Sequence, residues 1–81
     1  MKNETKIILN RTDGTDVAVD KIIHAPTFAV VLVIPRDATI SHSLSNFNAL
    51  KRESDTAGKA LSIESSDEHV LELALRAKII A

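Results

Sequence analysis

The chain has no cysteine, no tryptophan and no tyrosine, and only two phenylalanines, two glycines and two prolines. Without cysteine neither a disulfide nor a thiolate metal site can form, which favours an intracellular setting. With Phe28 and Phe47 as the sole aromatics, no stacking platform for single-stranded nucleic acid exists. The formal net charge is −1 with acids and bases mixed along the length, so there is neither a basic field for nucleic acid nor an acidic tail. The longest apolar run, Phe28 to Ile34, is far short of the ~20 residues a membrane helix requires, which excludes direct membrane insertion. The opening residues "MKNETKIILN" lack the apolar stretch of a signal peptide. Few glycines also mean no glycine-rich phosphate cradle and no Gly-x-Ser-x-Gly nucleophile elbow. The expectation is a cytoplasmic protein without a nucleic-acid partner, cofactor or metal.

What is present is one small α/β domain over residues 1–81, either whole or part of a larger protein. A chain of this length buries only ~60–65% of the surface its unfolded form exposes, so its core is marginal and gains from association. "KIILN" (6–10) is a short apolar run followed by the Asp13-Gly14 turn signal. That turn suits a hairpin onto "VAV" (17–19) or the start of a helix over 16–25, capped by Thr15, with Val19, Ile22 and Ile23 on one face. We favour the helix, which Pro26 ends. "FAVVLVI" (28–34) is apolar at every position, the pattern of a strand buried on both sides in a parallel sheet.

A long helix is expected from about Thr39 to Ala57, with Ile40, Leu44, Phe47, Leu50 and Ala57 inward and Lys51, Arg52, Glu53 and Asp55 wet. Gly58 stands where a C-terminal cap belongs. "KALSI" (59–63) reads as a third strand, "ESSD" as a turn, and residues 67–80 as a closing helix with Val70, Leu71, Leu73, Ala74 and Ile79 inward. The order βαβαβα predicts a Rossmann-like fold, a three-stranded, mostly parallel sheet with three helices.

Ligands of open parallel sheets bind beyond the carboxyl ends of the strands, where helix N-termini present free N–H groups. Here "PRDATISHSLSN" and "ESSDEH" lie at such ends, and Arg36, Ser41, Ser43, Ser65 and Ser66 are the candidate ligand-binding residues for a small anion. The same residues also have a structural use: Asp37 or Thr39 caps one helix, and Ser66 or Asp67 the next. That structural use is the favoured one. Ser41-His42-Ser43 is no catalytic dyad, since adjacent helix residues diverge. An enzyme built on Asp37, His42 and Asp67 is the weakest reading, and His24, His42 and His69 show no metal-ligand spacing.

Residues 16–77 carry "DVAVDKII", "VVLVIP" and "SHSLSNFNALKRESDTAGKALSIESSDEHVLELA". In these pieces the chain resembles a pattern of uncharacterised bacterial Rossmann-like domains, "VIP…S…NF..LKRE…GK.L.I.S.D.HV.ELA". The resemblance implies an α/β domain of a bacterial protein and no catalytic residue. Ser54 stands where that pattern usually has alanine. More weakly, the element order is similar to STAS-type regulatory domains, which implies a phosphorylation switch at Ser41 or Ser43, although the Asp-Ser-Ser-Gly hallmark is missing.

If both crossovers step across the sheet in one direction, all helices stack on one face and the other stays bare. A bare apolar face marks an interface, and a homodimer would support the marginal core. Phe28, Val30, Ser45 and Asn48 are the candidate interface residues. The expected function is a non-enzymatic, self-associating protein-interaction or assembly domain, a homodimer with room for another protein partner. The alternative is a regulatory domain that binds a small anion or is phosphorylated at the strand-end loops.

Overall fold

A computed structural model describes residues 3–81. The elements run β1 (Glu4–Ile8), α1 (Thr15–Ile23), β2 (Ala29–Val33), a short 3-10 helix (Thr39–His42), α2 (Leu44–Thr56), β3 (Ala60–Glu64) and α3 (Glu68–Arg76). The sheet of the described residues has three strands in the order β1-β2-β3, with both neighbouring pairs parallel. The expected α/β fold and its alternation are therefore what forms.

The order 1-2-3 has a direct consequence. Each crossover moves one strand further in the same direction, so crossovers of one hand place their helices on one face. The burial agrees: Val30 and Leu32 of β2 and Leu61 and Ile63 of β3 are buried, while Ala29, Val31 and Val33 are only half-buried. α1 packs on α2 and α2 on α3. Between helices and sheet lies one core, centred on Ile22, Leu32, Ile34, Ile40, Phe47, Leu50 and Val70. The apolar run in β2 is thus covered on one side only.

Local chemistry explains most element ends. The α2 helix closes in a left-handed turn at Gly58 (φ 71°), where Lys59 N–H donates to Ser54 O (2.9 Å) and Gly58 N–H to Asp55 O (3.1 Å). The same motif ends α3, but its left-handed residue is Lys78 (φ 63°), with Ile79 N–H bonded to Ala74 O (2.8 Å). Helix α3 therefore stops at Arg76 rather than running to residue 80. The released segment returns to the sheet: Ile80 forms a parallel bridge with Ser62, and Ile63 N–H donates to Ile80 O (2.7 Å).

Other expectations need correction. The helix expected over 39–57 is broken at Ser43, whose extended backbone (φ −150°, ψ 135°) separates the 3-10 helix from α2. Ser43, not Asp37 or Thr39, caps α2 through its hydroxyl, which accepts from Ser45 N–H (3.2 Å). Thr15 lies inside α1 rather than capping it, and Gly14 is the cap residue. Ile23 and Ala57 are exposed, because α1 and α2 turn those positions away from the core at their last turns.

Candidate functional site

Two regions have the makings of a working surface: the loops beyond the strand ends and the uncovered sheet face. At the strand ends, side chains expected to meet a ligand are bonded within the chain. Ser41 is buried and its hydroxyl donates to Ala38 O at 2.6 Å. Ser43 caps α2 and shares a hydrogen bond with the Ser45 hydroxyl (2.7 Å). Ser65 donates to Ile34 O (2.7 Å) and accepts from Asp67 N–H (3.1 Å), which knits β2 to the start of α3. Arg36 crosses the gap and donates to Ser66 O (3.1 Å). Ser66 is exposed.

The N-terminus of α3 carries its own carboxylate. Asp67 caps it, accepting from His69 N–H (3.0 Å) and, at longer range, from Asp37 N–H (3.4 Å). Partial desolvation pushes this carboxyl up, but the two N–H groups together with the charges of Arg36 and His69 outweigh it, and Asp67 is held below its ordinary value. His69 in turn reaches Ser41 O through Nε2 (3.1 Å), and since a carbonyl only accepts, that nitrogen carries the proton. An anion approaching α3 would meet an existing negative charge in its place. Of the acids and histidine of the weakest reading, Asp67 is a cap, Asp37 lies 3.9 Å from Arg11 at the surface, and His42 is exposed at the end of the 3-10 helix.

The open sheet face is a different surface. Strand register places its side chains in rows: Glu4–Ala29–Ala60, then Lys6–Val31–Ser62, then Ile8–Val33–Glu64. Ile80 extends the middle row, because a residue bridged to Ser62 shares its face. Ile8 is 71% exposed and Ile80 75%. Lys6 and Glu64 stand on the outer strands, yet their charges meet at 3.1 Å, so the ion pair arches over the β2 valines. The face is an apolar central strand flanked by one base and two acids.

The expected interface residues are divided by this geometry. Val30 cannot line an interface: it is fully buried on the helix side, and the valines that face the open side are its neighbours of opposite parity, the half-buried Val31 and Val33. Phe28 is 69% exposed and precedes β2, with its carbonyl accepting from Ala60 N–H (3.0 Å). Ser45 and Asn48 are exposed on α2, away from the open face. Lys6, Ile8, Val31, Val33 and Glu64 were not singled out from sequence. Period-two alternation marks their faces, but only strand order shows which face is bare.

Lys59 was also missed. Its ammonium donates to Ala25 O (2.6 Å) and Thr27 O (2.7 Å), pinning the α1–β2 loop beside β3. In that loop Thr27 Oγ1 donates to Ala29 O (2.8 Å), so the Thr5 hydroxyl, 2.7 Å away, is the donor in the Thr5–Thr27 contact.

Among the described residues no helix is long and apolar enough to cross a membrane. No protein-family model, curated protein or solved structure matches the chain.

Proposed function

We propose that this chain is a non-enzymatic protein-interaction and assembly domain of a bacterial cytoplasmic protein, and that it associates with itself. The observation that carries this reading is the one-sided sheet. A central strand of alanine and valine in a small domain is left without a covering layer, with Ile8 and Ile80 largely exposed beside it. Exposed apolar patches of this kind mark association surfaces, and a domain this small gains stability by mass action when a partner covers them. The polar groups at the strand ends support the same reading, since Ser41, Ser43 and Ser65 hold the loops rather than facing outward as an unfilled cradle.

The experiment is the mass in solution by light scattering after size exclusion, over a hundredfold range of concentration. A mass that rises toward twice the 8.8 kDa chain supports the proposal. A constant monomer mass overturns it.

A further inference from the structure

We infer that the open face is covered by a second copy of the same face, stacked sheet on sheet about a two-fold axis that runs along β2. This pairing rests on the self-association proposed above and adds its surface and symmetry. The charges on the face carry it. A two-fold axis along β2 lays β2 on its partner β2 and places β1 of each copy over β3 of the other. Lys6 then stands over the partner strand that bears Glu64, two residues further along, and the same holds for the second Lys6.

The internal Lys6–Glu64 bond must cross two strand spacings, about 9.6 Å, to form. In the pair the same charges meet without crossing β2, so opening the strap uncovers Val31 and Val33 as it supplies the two bonds at the rim. An axis across the strands sets β1 on β1 and β3 on β3, and leaves Lys6 away from Glu64. Sheet edges are the rival route, and there β1 would pair with β1. That route leaves the valines bare, and Glu64, on β3, takes no part in it.

The face is small. Three strands about 4.8 Å apart, with a rise of about 3.3 Å per residue, lie below the standard interface size. The dimer is therefore a weak, transient one.

The test uses Lys6→Glu and Glu64→Lys, at side chains that are 49% and 55% exposed, so both variants should keep the fold. Each alone sets like charges at positions 6 and 64 against each other across the axis and should weaken self-association at least about tenfold by sedimentation equilibrium. Mixed in equal amounts, they should form a heterodimer, because opposite charges then meet across the axis at positions 6 and 64. Val31→Lys should remove the dimer in the same assay, with folding checked by circular dichroism; if it does not fold, the charge variants decide. Variants that weaken singly and fail to pair when mixed overturn the face-to-face arrangement. Loss with Lys6→Glu but not with Glu64→Lys also overturns it, in favour of pairing at the β1 edge. A dimer that survives all three variants refutes this surface while self-association itself stands. A wild-type chain that stays monomeric at about 1 mM removes both.

Discussion

Ser54 offers the sharpest test of the packing. It is 1% exposed on the inner side of α2, and its hydroxyl has no hydrogen-bond partner. Burying a hydroxyl unpaired costs about 1–3 kcal/mol. Ser54→Ala removes that cost and gains about 0.5 kcal/mol of helix propensity. Against this, the deleted oxygen leaves a gap smaller than a methyl group, whose lost contacts cost up to about 1 kcal/mol. The net expectation is a stabilisation of about 1 kcal/mol, which raises Tm by about 4–8 °C in a domain of this size. With no tryptophan or tyrosine, unfolding is best followed by far-ultraviolet circular dichroism, in urea and on heating. The urea midpoint should rise with an unchanged slope. A Tm that falls would refute the reasoning, because it would mean that the Ser54 hydroxyl is bonded in solution. The substitution should leave the concentration dependence of mass untouched, since Ser54 lies under the helices and not on the open face.

Three further outcomes follow from particular residues. Lys78→Gly should stabilise by about 0.5–1 kcal/mol, since the left-handed backbone at φ 63° costs a residue with a side chain about 1–2 kcal/mol, and glycine returns part of that gain through its freer unfolded chain; thermal unfolding measures it, and a lower Tm contradicts it. Lys59→Met should destabilise by about 1–2 kcal/mol, because two carbonyls of the α1–β2 loop lose a charged donor, and amide exchange should quicken around Ala25 and Thr27; unchanged exchange would show that the clamp is idle. Asp67, with its folded-state pKa lowered, contributes stability that is present above the ordinary carboxylate range and is lost as pH falls through the lowered value. Asp67→Asn should therefore reduce the loss of Tm on acidification, and an acid profile identical to wild type would contradict the capping role.

The element order could be read from sequence because each segment announces itself locally. "FAVVLVI" has the length and β-branching of a strand, and Gly58 is a C-terminal stop that the structure uses at φ 71°. The break at Ser43 was hidden because Ile40, Leu44 and Phe47 keep a helical spacing through it. Helix α3 was read too long because its stop is a lysine in a conformation usually given to glycine, and because Ile79 is buried for a different reason, within the segment that returns to the sheet.

The structural use of the strand-end cluster was legible in part: Asp67 caps α3 as expected, whereas the cap at Ser43 and the Ser65 bond to Ile34 O were not. What could not be read was the bare side of β2. A fully apolar strand looks the same whether one or both faces are covered, and the choice lies in strand order, a long-range property. For the same reason the role of Lys59 could not be read, since its partners lie 34 and 32 residues away.

The most direct measurement of the central claim is the change in backbone amide shifts as the protein is diluted a hundredfold from a millimolar stock. The account predicts shifts gathered on Lys6, Ile8, Val31, Val33, Ser62 and Glu64, with the helices quiet. Shifts that are absent, or that gather instead on Arg36, Ser43 and Ser66 at the strand ends, would contradict it.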